Sequence, residues 1–180
     1  MAERFKPFTR DELDEAQRAV FDAIQSGPRG TVPYIFHLLL TSPELGSKVQ
    51  QLGAFCRYGT GLSPRLSELA ILVVANHWPA HYEREIHEGE ARKAGLSDSI
   101  IEALAAGRRP DFGDDSEGEI MYGFADSFFR TRDVPDDVFE AAVQRFGRKT
   151  VVELAGILGY YSMLAIMIRI FKLPLEGSLG

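Results

Sequence analysis

Cysteine is almost absent from this sequence. Its 180 residues include one cysteine, Cys56, so the chain can form neither an internal disulfide nor a redox-active pair of thiols. A lone cysteine is most simply a small, buried apolar residue. Chains without disulfides are typical of reducing compartments, so the sequence predicts a cytoplasmic protein.

Positive charge is also in short supply. Lys and Arg together number 20 against 26 Asp and Glu, which gives a formal net charge of −6 and a pI of about 5.3. Proteins that bind nucleic acid normally carry a basic face. We therefore expect no nucleic-acid partner.

The sequence contains no apolar run that is long enough for an obvious membrane span. The candidate segment, Leu154–Ile168, has fifteen uncharged residues between Glu153 and Arg169, whereas a span needs about 20. The N-terminal sequence MAERFKPFTRDELDEAQ lacks the apolar stretch of a secretory signal. We predict a soluble protein without a membrane partner, in which Leu154–Ile168 forms a helix buried on all sides, partly by another subunit.

The alternation of apolar and polar residues that marks a strand is missing, and the start and stop signals are those of helices. Thr9 and Glu12 form a capping-box pattern, and Ser63-Pro64 is typical of another helix start. We predict an all-α single domain over residues 1–180, a bundle of about eight helices, with an N-terminal helical extension over 1–30 and a core motif over 62–106. After the first helix, the predicted helices cover 34–40, 44–57, 64–78, 80–94, 97–107, 117–130, 136–146 and 149–171.

The stretch Asn76–His87, NHWPAHYEREIH, combines three histidines with two glutamates. A zinc-protease helix requires His-Glu-x-x-His, and a di-iron bundle requires Glu-x-x-His on two helices. His81 is not followed by glutamate, and the position three residues before His87 is an arginine, so both motifs are missing. Pro79 separates His77 from His81 and spoils their helical spacing. The sequence predicts no metal site.

An acid–base pair fits the same stretch better. Glu83 and His87 are four residues apart, so on a helix they share a face and can form a hydrogen bond. A carboxylate orients an imidazole and favours its protonated form. Glu68 lies on the preceding helix among apolar residues, and packing of the two helices would complete a partly desolvated pocket. The competing interpretation is a solvated surface pair, with Trp78 and Tyr82 either packing in the core or lining the pocket.

At these residues the sequence resembles the carboxymuconolactone decarboxylase family, whose superfamily includes the alkyl hydroperoxidase D proteins. The resemblance spans residues 31–174 and is densest in LSPRLSELAILVVANHWPAHYEREIHEGEARKAGLSDSIIEAL. The peroxidase branch has a glutamate, eleven residues, Cys-x-x-Cys, three residues and a histidine. Glu68 and His87 match the outer positions, but Ala80 and Glu83 stand where that branch has its cysteines.

The missing cysteines affect which activity the resemblance implies. A dithiol peroxidase needs one thiolate to attack the peroxide bond and a second thiol to resolve the product. Cys56 lies outside the motif and has no second thiol to pair with. Dithiol peroxidase activity is therefore expected only as a family label.

The decarboxylase branch has no metal and no organic cofactor, and its members assemble as trimers or hexamers with the pocket close to a subunit interface. The resemblance therefore implies an alkyl hydroperoxidase D-like fold, a homotrimer or homohexamer, and a lyase acting on a small lactone or carboxylic acid. In this hypothesis His87 donates a proton, Glu83 orients His87, and Glu68 tunes the pocket. Arg57 or Arg65 would bind a substrate carboxylate.

Two further interpretations stay open. The same acid–base residues would serve the isomerisation, hydration or ring opening of another small metabolite, because such a pair is not specific to one bond. A non-catalytic oligomer that binds a small ligand or a partner protein is the third interpretation, since one fold can lose its reaction and keep its shape.

Overall fold

The structure is a computed structural model that describes residues 4–78 and 81–173, without the side chains of 81–83. Within these ranges the chain forms helices and their links, with no strand, so the predicted all-α fold class is confirmed. The helices are α1 Glu15–Gln25, α2 Tyr34–Leu39, α3 Pro43–Tyr58, α4 Pro64–His77, α5 His81–Lys93, α6 Asp98–Ala105, α7 Ser116–Thr131 and α8 Asp136–Phe171.

The first helix begins later than the capping-box pattern at Thr9 predicts. The Glu12 carboxylate accepts the Thr9 backbone N–H at 2.7 Å, but this box encloses only a 3-10 turn. Asp14 caps α1 instead, accepting the Gln17 N–H at 2.8 Å, while the Gln17 side chain accepts the Asp14 N–H at 2.9 Å. The two overlapping boxes satisfy the same local rule, so the pattern alone could not decide which one opens the helix.

Helix α4 begins where the sequence predicts. Ser63 accepts the Leu66 N–H, and Pro64 fills the first helical position, where its missing N–H costs nothing. Residues 66–75 are all buried. Because it is apolar on every side, α4 lies at the centre of its neighbours and packs against α5, α6 and α7.

Helix α8 consists of two helices separated at Gly147. This residue has φ 81° and ψ 153°, a conformation that glycine adopts at low cost, and it lies in the predicted break between residues 146 and 149. Within the single chain the segment Leu154–Ile168 is buried on one side, and the expected cover of its other side by another subunit stays a prediction. Its exposed positions form one stripe, most of it small residues with little apolar surface: Ala155, Gly156, Gly159 and Ile166.

The second half of α8 resembles a membrane span in length and composition. The helix Arg148–Phe171 is the one helix in the described part of the chain that meets both criteria, and 50% of its most apolar window is buried within the protein. The buried core helix of a soluble protein meets them too, so this helix does not assign a membrane location.

Contacts along the chain define two units. One unit holds the chain up to Phe55 and the segment that starts at Ile166. Within it, Leu13 and Ile24 are fully buried, and the Gln17 side chain donates to the Leu40 carbonyl at 3.1 Å. The other unit, Cys56–Ala165, contains α4 to α7 and most of α8, and it carries the candidate site.

Candidate functional site

Glu68 is a carboxylate placed inside the most buried helix. It lies on α4 in the run of residues 66–75, and 6% of its surface is exposed. An ionised carboxylate in such surroundings loses its hydration and needs a hydrogen-bonded partner. The local sequence allows this placement because the serine–proline start of α4 fixes the register that turns Glu68 inward.

His87 supplies that partner from α5. This residue is also 6% exposed, and its Nδ1 atom lies 2.7 Å from Oε2 of Glu68. An ionised Glu68 accepts the proton on Nδ1, which fixes the tautomer and leaves Nε2 as the ring nitrogen without this bond. The two helices predicted to meet here do so, and their contact joins Glu68 to His87.

Tyr161 holds the other side of the imidazole. Its ring lies edge-on to His87, with centroids 5.2 Å apart and an interplanar angle of 89°. Tyr160 packs against Tyr161 in a similar T-shaped arrangement at 5.1 Å. No pattern in the sequence predicts this contact, for which the one signal is a pair of tyrosines in an otherwise aliphatic run.

A cleft of about 330 Å³ borders Glu68. Its charged walls are Arg57, from the end of α3, and Glu90 and Lys93, from α5; Tyr58 and Ser67 also line it. The cleft therefore combines two cations with the carboxylates of Glu90 and Glu68, whereas His87 is not among its lining residues.

Glu90 joins the two cations of the cleft. Lys93 Nζ lies 2.8 Å from one carboxylate oxygen of Glu90, and Arg57 Nη2 lies 3.1 Å from the other. The hydrogen bond from Lys93, together with both positive charges, lowers the pKa of Glu90 from its usual range. Of the two arginines predicted to bind substrate, Arg57 is the one that lines this cleft.

The other predicted binding residues lie elsewhere or outside the described part. Arg65 pairs with Asp115 and with Glu117 and lines a separate cleft of about 450 Å³. Trp78 Nε1 donates to Ser162 Oγ at 3.1 Å, and its ring lines an apolar cleft that does not include Glu68. The side chains of Tyr82 and Glu83 lie outside the described residues, so the predicted contact between Glu83 and His87 stays a prediction.

Cys56 is buried, with 1% of its surface exposed. Burial raises the pKa of its thiol to about 11. At neutral pH the thiol therefore stays protonated, and it lacks the thiolate that attacks peroxides and disulfides. This agrees with its expected role as a small apolar residue.

A second histidine–carboxylate pair links α4 to α7. His77 Nε2 lies 3.2 Å from Asp126 Oδ1, and the His77 ring stacks on Phe129 with centroids 5.0 Å apart and an interplanar angle of 16°. No sequence spacing predicts this pair, because the two residues are 49 positions apart. In the described part of the chain, no group of three or more His, Cys, Asp or Glu side chains converges as metal ligands.

Two solved structures have a fold similar to this one. The structure is similar to an uncharacterised peroxidase-related protein from Silicibacter sp. TM1040, with a TM-score of 0.77, 16% identity, and coverage of 97% of this chain and 92% of that one. It is also similar to a cysteine-to-alanine variant of the debrominase Bmp8 in complex with 2,3,4-tribromopyrrole, with a TM-score of 0.74, 14% identity, and coverage of 95% and 90%. No protein-family model and no curated protein matches the chain. At these identities the likeness concerns the fold, and it agrees with the helical arrangement predicted from the alkyl hydroperoxidase D resemblance.

Proposed function

We propose that this protein is a cofactor-independent enzyme in which His87 and Glu68 carry out acid–base chemistry on a small carboxylic acid or lactone. The reaction we favour is decarboxylation of the carboxymuconolactone type. The observation that carries the proposal is the buried contact of 2.7 Å between His87 and Glu68 beside a cleft that Arg57 lines.

Stability alone gives little reason to bury such a pair. The idealised transfer of such an ion out of water costs about 20 kcal/mol, and the penalty that remains in a real protein is several kcal/mol per ion. Apolar residues of similar volume often stabilise a fold as well as a buried ion pair does. Buried titratable pairs beside clefts are instead typical of sites that move protons. This supports a chemical role for His87 and Glu68.

The contact at Nδ1 assigns the orienting role to Glu68. A carboxylate in this position holds the imidazole in one tautomer and one orientation. His87 then acts as the acid through Nε2. Glu83, the residue that helical spacing favours for the orienting role, stays a predicted contributor.

In the proposed reaction the substrate is its own electron sink. The bond between the ring carbon and the departing carboxylate breaks, carbon dioxide leaves, and the electron pair moves through the conjugated double bond to the lactone carbonyl oxygen. The electron pair then returns from this oxyanion and takes a proton from His87 at the ring carbon. General acid catalysis of this kind contributes about 10²- to 10⁴-fold to the rate.

Arg57 supports an anionic substrate. Its ion pair with Glu90 involves side chains that are 24% and 34% exposed, and ion pairs this close to water are weak. A substrate carboxylate can therefore replace Glu90 as the partner of the guanidinium. The debrominase of the same fold was captured with a small halogenated ring, which supports a flat, compact ligand.

The test is a panel assay with purified protein. Unsaturated γ-lactones bearing a carboxylate, related enol acids and simple lactones are followed by ultraviolet absorbance and product analysis. We expect His87→Gln to lower kcat/KM by about 10²-fold or more, and Glu68→Gln to lower it less, because its amide keeps a hydrogen bond to Nδ1. Arg57→Gln should raise KM more than it lowers kcat.

His77→Gln is the matched control. It removes a histidine from another carboxylate pair, the one with Asp126, without touching the cleft. We expect it to keep wild-type kinetics. Equal losses of activity in His77→Gln and His87→Gln would point to general destabilisation. Full activity in His87→Gln would show that His87 is not the acid. Turnover to an isomer, a hydrate or an opened ring would replace the lyase assignment. A lack of turnover with every substrate would favour a ligand-binding role.

We also propose that the protein is soluble and cytoplasmic. The single cysteine is buried and has no partner for a disulfide, which suits a reducing compartment.

A further inference from the structure

An aromatic cleft of about 370 Å³ includes neither Glu68 nor His87 among its lining residues. Trp78, at the end of α4, and Phe124, Phe128 and Phe129, on α7, supply its ring walls. Its polar lining is confined to a few atoms. Pockets of this size, mainly apolar with a few placed polar groups, are typical of small-molecule sites.

The wall formed by α8 is open. Ala155 and Gly159 face the cleft, and a Cβ atom built on Gly159 would meet no heavy atom within 4 Å. A flat ring can therefore lie against this part of the helix, opposite the phenylalanines. An arrangement of aromatic walls opposite a helix face opened by Gly159 favours a planar ligand over a bulky one.

The indole of Trp78 is fixed in place. Its Nε1 donates to Ser162 Oγ at 3.1 Å, so the polar edge of the ring is satisfied and its faces are left for apolar contact. Because ordering a ligand against a fixed side chain costs less than ordering both, the pair of Trp78 and Ser162 prepares the cleft for binding.

Arg132 provides a positive charge at the rim. Its Nη1 donates to the Phe129 carbonyl at 3.1 Å, and no carboxylate among the described residues pairs with its guanidinium. Arg132 also has φ 65°, a left-handed backbone conformation usual for glycine at the end of a helix. The position therefore carries a long cation where the backbone favours glycine.

We propose that this cleft binds a planar aromatic carboxylic acid, with its ring between the phenylalanines, Trp78 and α8 and its carboxylate on Arg132. The charge of Arg132 selects an anion, and the aromatic walls select a flat ring. The cleft shares no lining residue with the one beside Glu68, so this is a second ligand site rather than part of the acid–base site.

The single tryptophan of the chain reports directly on occupancy. Phenylacetate is titrated into the purified full chain while Trp78 fluorescence is recorded. We expect a saturable change with phenylacetate, and binding up to about fivefold weaker for phenylacetamide, which lacks the charge. Cyclohexylacetate, which keeps the charge but not the flat ring, should bind more weakly too. In Arg132→Gln the affinities for phenylacetate and phenylacetamide should become equal.

Gly159→Leu and Gly156→Leu form a matched pair of variants. Both positions are in α8 with open space at the Cβ atom, but only Gly159 lines the cleft. Each substitution replaces a helical glycine with a better helix former, so both variants should fold. Gly159→Leu should abolish the saturable signal, and Gly156→Leu should keep it. His87→Gln should also keep it, which separates this site from the proposed reaction.

Three outcomes would overturn the proposal. They are a wild-type protein that gives no saturable change, a Gly159→Leu variant that binds as well as Gly156→Leu, and equal binding of the acid and the amide to the wild type. If the wild type binds no acid and Gly159→Leu changes the mass of the protein in light scattering, the cleft is a contact between copies of the chain instead.

Discussion

His37 is a titratable residue in an apolar setting. It lies on α2 with its ring edge-on to Phe21 at 5.9 Å, and its Nδ1 atom is buried without a hydrogen-bond partner. Burial lowers the pKa of His37 from its usual value, and a hydrogen bond to the Phe8 backbone opposes this shift only in part. The folded chain therefore disfavours the protonated ring.

This lowered pKa predicts acid sensitivity. Below an unfolded-state pKa of about 6.5, the unfolded chain binds a proton on His37 more readily than the folded chain does, so stability falls as the pH drops through that range. We expect the free energy of unfolding in urea to fall less between pH 8 and pH 5 for His37→Leu than for the wild type. The effect of the substitution should be largest at the low end of this range. Identical pH profiles for both proteins would contradict the assignment.

Single residues also show how far the candidate site could be predicted. Glu68 and His87 were identified because the motif spacing places both on adjacent helices, and the structure brings them together. Their direct contact could not be derived from the pattern, since helical spacing favours Glu83, which is on the same helix as His87. The pairing of Arg57 with Glu90 depends on how α3 ends beside α5, and no spacing along the chain encodes that geometry.

Among the elements, the link before α4 is fastened to α8. The Glu153 carboxylate accepts the Gly61 N–H at 2.8 Å and lies 3.0 Å from Lys149 Nζ. A Cβ atom on Gly61 would come within 2.8 Å of Thr150 Oγ1, so this close approach requires glycine. The contact lies just before the start of α4, the helix that carries Glu68.

Replacing Glu153 should therefore loosen this connection. The Gly61 N–H, with help from Lys149, lowers the pKa of Glu153. A carboxylate whose pKa is lowered in the folded chain stabilises the fold at pH values above its unfolded-state pKa of about 4.3. This stabilisation is lost as the pH falls through the folded-state pKa. We expect Glu153→Gln to lower Tm at pH 7 and to match the wild type at pH 3.

Lys149→Met is the control for the Glu153 experiment. It removes an exposed lysine from the i,i+4 pair with Glu153 and leaves the bond to Gly61 in place, so Tm should change little. If Lys149→Met lowers Tm as much as Glu153→Gln does, the lysine rather than the Gly61 N–H stabilises this connection.

The helix boundaries were predicted well wherever one local signal dominates. Ser63-Pro64 fixes the start of α4, and Gly147 breaks α8, because both act through backbone geometry within a few residues. The helix start predicted at Thr9 was wrong, because a second capping box at Asp14 competes with the one at Thr9. The composition of Leu154–Ile168 could not show which side of the helix the chain itself buries, because small residues at the surface are as uncharged as large ones inside.

On the scale of the whole molecule, α3 leaves apolar side chains uncovered. Leu45, Leu52 and Phe55 are 42–45% exposed, and their spacing of seven and three residues places them on one helical face. Clustered exposed apolar residues commonly mark contacts between proteins. They support the proposal that the chain assembles as a homotrimer or homohexamer.

Light scattering after size exclusion tests this assembly. We expect a mass of three or six copies of the 20.0 kDa chain, and a shift toward smaller species in Leu52→Glu. Gln51→Glu introduces the same charge at an exposed polar position beside it and should leave the mass unchanged. A wild-type mass of one chain would contradict the assembly, and so would an unchanged mass in Leu52→Glu.

The interior location of Cys56 has a practical side. Because its thiol is buried and protonated, maleimide reagents should not react with the folded native chain. Any cysteine engineered onto the surface becomes a unique attachment point without removal of a native residue. Energy transfer from the single tryptophan to such a label would then measure a distance within the molecule.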